Sequence, residues 1–125
     1  MTQRYSKQPS QRQLMVSNTM HRILAEAIVS YEIHHPELRN ELLSVAQVKI
    51  SPDLKIATVF VIVRSCTKDT QEQMLSLLQK LSNEIRHIVT KKLHLRYAPE
   101  IRFMLDDTLD KMSYMDGVFN KLAVK

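Results

Sequence analysis

Val16, Met20, Ile23, Leu24, Ala27, Ile28 and Tyr31 recur at intervals of three and four, the spacing of a long amphipathic helix. Ser10-Gln11-Arg12-Gln13 precedes them as a capping box, in which the serine oxygen accepts from the Gln13 N–H and the glutamine side chain reaches back. His35-Pro36 is expected to end this helix. After a loop or short turn over residues 36–43, residues 45–50 predict a strand and Ser51-Pro52-Asp53 a turn. Residues 56–63 are dense in β-branched side chains and predict a central strand covered on both faces. The two strands are joined too tightly for a crossover helix, so they pair antiparallel.

Thr70 and Gln73 form a second capping box, opening a helix with Met74, Leu75, Leu77, Leu78 and Leu81 on its buried side. Ser82-Asn83 is expected to break it, because both residues compete for backbone hydrogen bonds and asparagine accepts the left-handed conformation. Ile85, Ile88, Val89 and Leu93 make the buried stripe of a third helix, with Arg86, His87, Thr90, Lys91 and His94 on the opposite arc. Pro99 forbids further helix, and residues 100–104 alternate polar and apolar as a half-buried strand does. The predicted order is helix, strand, strand, helix, kink, helix, strand: an α+β domain over residues 10–106, with a three-stranded sheet and helices packed on one face of it. Residues 1–9 read as a flexible arm. Residues 107–125 read as a partly mobile helical tail, opened by Asp106, Asp107, Thr108 and Asp110 and weakly amphipathic through Met115, Val118, Phe119 and Leu122.

Composition narrows the function classes. A chain of 125 residues with 44% hydrophobic content supports one modest core. A net charge of +5 draws it to polyanions. Residues 80–105 concentrate that charge in Lys80, Arg86, Lys91, Lys92, Arg96 and Arg102 against Glu84 and Glu100. Cys66 is the single cysteine, so no disulfide or cysteine-based metal site forms, and a reducing cytoplasm is the expected compartment. The densest apolar run, residues 56–63, is far short of the about 20 residues a membrane span needs. The single glycine, Gly117, excludes a glycine-dependent phosphate loop upstream of it.

Catalytic constellations do not assemble along the chain. His21, His34, His35, His87 and His94 form no HxxxH pair, and His87 and His94 fall about 10 Å apart on one helix, too far for one metal ion. Helix capping accounts for Asp106, Asp107 and Asp110. Cys66 has no neighbouring activating group in sequence. The expectation is a non-enzyme without cofactor or metal.

This element order matches the type II KH domain, an RNA-binding fold, and within it the chain resembles the ribosome-binding factor A family. The resemblance runs from residue 10 to residue 122. It is carried by Arg12 through Leu24 and by Val48-Lys49-Ile50-Ser51-Pro52-Asp53-Leu54. It continues in Ala57-Thr58-Val59-Phe60-Val61 and in Glu84-Ile85-Arg86. The most specific passage is Leu93-His94-Leu95-Arg96-Tyr97-Ala98-Pro99-Glu100-Ile101-Arg102-Phe103, followed by Asp106. The family's kink reads Ala-x-Gly, whereas this chain has Leu81-Ser82-Asn83, and His35 stands where the family often has an acid. A side chain in place of glycine restricts close backbone approach to a phosphate, so binding should lean on side-chain cations.

The resemblance implies a cytoplasmic factor that associates with the free small ribosomal subunit or its precursor through ribosomal RNA and assists late processing. It implies a monomer, no membrane, and a maturation GTPase as a further partner. Lys80, Ser82, Asn83, Arg86, Thr90, Lys91, Lys92, His94 and Arg96, with Arg12 and Arg22 of the first helix, are the expected RNA contacts. Removing Arg86, Lys91 and Lys92 together is expected to weaken subunit association and leave the fold intact. The rival class is a protein-interaction module of the same fold that binds no RNA directly.

Overall fold

The Ser10 capping box forms as its spacing dictates: Ser10 Oγ accepts from the Gln13 N–H and Gln13 Oε1 accepts from the Ser10 N–H. It opens helix α1 (Gln11–Val29), in a computed structural model that describes residues 9–95 and 97–106. Strands β1 (Leu43–Ile50) and β2 (Ile56–Val63), helices α2 (Lys68–Lys80) and α3 (Ser82–Leu93), and strand β3 (Glu100–Leu105) follow. A short 3-10 turn, Asn40–Leu42, leads into β1. Residues 1–8 of the expected arm, Arg96 and the expected tail over 107–125 lie outside the described residues.

The sheet has the order β1-β2-β3, with β1 antiparallel and β3 parallel to β2. The parallel pair is possible because α2 and α3 form the long crossover that such a connection requires. Ala57, Val59, Val61 and Val63 of β2 point to the helices and are buried. Ile56, Thr58, Phe60 and Ile62 alternate with them and are only half-buried. The described helices pack on one face, as the fold class predicts, and the separate expectation that β2 is covered on both faces is corrected. On the other face, the Lys49 ammonium sits 5.6 Å from the centre of the Phe60 ring, shielding an aromatic that is only half-buried.

A bulge at Ala46 explains why β1 begins two residues before the predicted strand. Val48 and Ile50 face the core, so a regular strand would turn Leu43 outward. The register shift between Val45 and Gln47 inserts one residue, and Leu43 returns to the core opposite Val63.

The first helix ends at Val29, earlier than Pro36 would require. Tyr31 takes a left-handed conformation (φ 63°) and is exposed, so it leaves the apolar stripe on which its spacing placed it. That turn lets Ile33 enter the core, with its N–H donating to the Ala27 carbonyl at 3.1 Å. The buried Asn40 amide donates to the Ile28 and Ile33 carbonyls at 2.9 and 2.7 Å, tying the end of α1 to the segment that follows it.

Thr67, not Thr70, caps α2; its hydroxyl accepts from the Thr70 N–H, one turn before the predicted start. The break between α2 and α3 falls at Leu81 (φ −87°, ψ 4°), one residue ahead of Ser82-Asn83. Asn83 is not left-handed; the residue that is, His94 (φ 56°), ends α3. The Leu81 N–H reaches the Leu77 carbonyl and the Ile85 N–H reaches the Leu81 carbonyl, so helical bonding spans the bend. Met74, Leu77, Leu78, Ile85 and Val89 are buried as their spacing predicts. Leu75, Leu81, Ile88 and Leu93 pack at the margin, half-buried.

Both outer strands offer backbone groups that could pair with another chain. Gln13 Nε2 donates to the Ile50 carbonyl at 2.9 Å and His21 Nε2 lies 2.9 Å from the Val45 carbonyl, both on β1. On β3 the Phe103 N–H donates to Gln79 Oε1 at 3.0 Å. Helix side chains thus occupy positions on each edge.

Candidate nucleic-acid interface

Lys80 closes α2 and Ser82 and Asn83 open α3, so the three stand together at the bend. Lys80 and Asn83 are exposed and Ser82 is half-buried. Beyond the bend, Arg86, His87, Thr90 and Lys91 lie exposed on the arc opposite the buried Ile85 and Val89. Lys91 and Lys92 fall in the last turn of α3, where cations offset the negative end of the helix dipole. Among the described residues, the side chains of Lys80 and Lys91 take part in no ion pair or side-chain hydrogen bond.

Two expected contacts are committed to the fold. Arg86 Nε and Nη2 both donate to the Ala98 carbonyl, at 3.2 and 2.8 Å, fastening the start of α3 to the connection that precedes β3. Ala98 is buried, so this carbonyl needs a donor. Lys92 Nζ pairs with Glu32 Oε1 beyond the end of α1, both side chains remaining partly exposed. Removing Arg86, Lys91 and Lys92 together would therefore also remove these two contacts within the fold. Thr90 Oγ1 donates back to the Arg86 carbonyl at 2.7 Å, which leaves the hydroxyl oxygen as an acceptor only.

The structure brings Arg12 and Arg86, 74 positions apart in the chain, to one groove of about 490 Å³. Its walls are the start of α1, the turn between β1 and β2, and the connection from α3 to β3, with Asp53, Lys55, Tyr97 and Glu100 completing them. Lys55 and Tyr97 were not among the residues that sequence reasoning selected. Tyr97 stands in the resembling passage, and Lys55 follows directly on another. Asp53 is held in place because its Oδ1 accepts from Ser51 Oγ at 2.6 Å and from the Lys55 N–H at 3.1 Å. The Ser51 hydroxyl first, and then the Lys55 N–H, hold its carboxyl below the usual range, so it is ionised at neutral pH. Glu100 accepts from Arg102 Nε at 3.2 Å.

Arg22 is exposed on α1 outside this groove, and His94 is exposed at the end of α3. Among the described residues, no group of three or more His, Cys, Asp or Glu side chains is placed to hold a metal ion. No described helix is long and apolar enough to cross a membrane.

Residues 12–119 match the sequence model of the family described as Ribosome-binding factor A. A ribosome-binding factor A of Ruegeria sp. (strain TM1040) is 40% identical over 117 residues, covering 94% of this chain and 88% of the relative. A solution structure of a Thermotoga maritima protein proposed to be a ribosome binding factor A superposes with a TM-score of 0.67 at 26% identity, covering 78% of this chain and 90% of that one. The Thermus thermophilus ribosome binding factor A, as fitted into a map of its 30S complex, gives a TM-score of 0.58 at 23% identity, covering 72% and 90%. With that α+β order, that mixed sheet and a family match spanning nearly the whole chain, this protein belongs to the ribosome-binding factor A family.

Proposed function

We propose that this protein binds the free small ribosomal subunit, or its precursor, through ribosomal RNA, assists late maturation of that RNA and then leaves without catalysing a reaction. The observation that carries the reading is the bend between α2 and α3. Lys80 at that bend, and Lys91 in the last turn of α3 beyond it, present charge that pairs with no described carboxylate. A family member from Thermus thermophilus has been fitted into a 30S complex, which supports the same partner here. Unpaired or junction RNA is the favoured target, because the deep, narrow major groove of A-form RNA excludes side chains. Phosphate contact by side-chain cations carries the affinity, since no aromatic residue stands at the bend. Action as a monomer, in the cytoplasm and with a GTPase assisting release, belongs to the same proposal.

A sucrose gradient of cell extract tests it. The protein is expected to sediment with free small subunits and to be absent from complete ribosomes. Binding to ribosomal RNA is expected to weaken with salt, with a log–log slope of about −3 to −4 for about five phosphate contacts. A slope near zero, or a partner retained after RNase digestion, would instead identify a protein-interaction module.

A further inference from the structure

We propose that the groove between the start of α1, the β1–β2 turn and the α3–β3 connection seats one unpaired nucleotide of RNA, with its base stacked on Tyr97. This rests on the RNA-binding reading above and adds a second contact, separate from the α2–α3 bend. Tyr97 is 74% exposed at the wall of the groove, so a ring that can stack on a base stands at its mouth. The volume of about 490 Å³ accommodates a nucleotide, and the site is built from three distant parts of the chain.

The charges argue for a nucleotide rather than a bare anion. Arg12, Lys55 and Arg86 offer donors to a phosphate, but Asp53 and Glu100 line the same walls and would repel one placed beside them. A nucleotide reconciles the two sets, with its phosphate toward the cations and its base edge toward the carboxylates. A carboxylate accepts hydrogen bonds, so the base this pair suits carries an exocyclic amine: adenine, cytosine or guanine rather than uracil. The site is preorganised. Arg86 is fixed by the Ala98 carbonyl and Asp53 by Ser51 and the Lys55 N–H, so little side-chain freedom is lost on binding.

The test uses the full chain with short oligoadenylate and oligouridylate as probes, read by fluorescence anisotropy and by NMR shifts of the Tyr97 ring. Tyr97→Ala is expected to weaken oligoadenylate binding on the order of tenfold, and Tyr97→Phe to restore it, because stacking needs the ring and not the hydroxyl. Lys55→Ala, an exposed turn substitution, is expected to weaken binding by a few-fold and to lower the salt slope by about 0.7. Equal affinity for oligouridylate would overturn the base assignment. Unchanged affinity in Tyr97→Ala, alongside a loss in Lys80→Ala/Lys91→Ala, would overturn the groove and leave the proposed function standing. Oligoadenylate binding that perturbs Tyr97, in a protein that sediments with no subunit, would overturn the proposed function and leave the groove.

Discussion

The two ends of α3 use their cations differently. At the start, Arg86 turns its guanidinium onto the Ala98 carbonyl and ties the helix to the connection before β3. At the end, Lys91 stands in solvent with no described side-chain partner, while its neighbour Lys92 is paired with Glu32. On a helical wheel Arg86 and Lys91 share one arc, so projection alone ranks them as equivalent RNA contacts. They differ in reach: a long side chain on a polar face can fold back over the surface and satisfy a backbone group there. Arg86 still carries its charge at the groove, but its removal would also release a buried carbonyl.

Arg86→Ala is expected to show the largest effect, a stability loss of about 1.5–3 kcal/mol for the lost charge-assisted bonds. Urea denaturation should show a lower midpoint with an unchanged slope; a wild-type midpoint would erase the distinction between the two ends. Lys80→Ala/Lys91→Ala should leave stability within about 0.5 kcal/mol. The same pair should reduce the salt slope of ribosomal RNA binding by about 1.4, about 0.7 for each lost phosphate contact. An unchanged slope would show that the open cations touch no phosphate.

Lys92→Ala lies between the two and should cost about 0.2–1 kcal/mol at low salt, as partly exposed pairs do. Comparing its midpoint at low and high ionic strength separates an ion pair from simple packing, since only the former fades. The smallest effect concerns the far wall of the groove. Asp53 has a folded pKa held below its ordinary value of 3.8. Its contribution is therefore fully present above that value and is lost as pH falls through the lower folded value. Asp53→Asn should flatten that part of the acid limb, read as urea midpoints at about pH 3 and pH 5; an identical limb in both proteins would show that the turn does not depend on the charge.

Most of the framework was legible in the chain. Residues 56–63 form β2 with the predicted bounds, and the Ser10 box caps α1 as its four residues indicate. The boundaries that were missed share a physical cause: in each, a tertiary contact overrode a local preference. Ile33 entering the core ended α1 before Pro36 could, and Leu43 opposite Val63 extended β1 through a bulge that periodicity does not reveal. At the α2–α3 bend, Ser82 and Asn83 read as helix breakers, yet both are helical and Leu81 takes the bend. The cover on β2, read from its composition as two-sided, differs from the one-sided packing of the predicted fold class for a related reason. A run of β-branched residues looks the same whether one side or both are covered, and only the packing of the helices distinguishes them.

By itself, the sequence determined which segments are helix or strand, which side of each helix is apolar, and where positive charge accumulates. Those properties depend on neighbours one to four positions away, and backbone geometry converts them directly into faces. Tertiary structure alone decided which cations remain available and which positions meet across the chain. Arg12, Lys55, Arg86 and Tyr97 share a groove only because α1, the β1–β2 turn and the α3–β3 connection converge there. No local spacing encodes that meeting, because it depends on the register between strands and on the path of the α2–α3 crossover between β2 and β3.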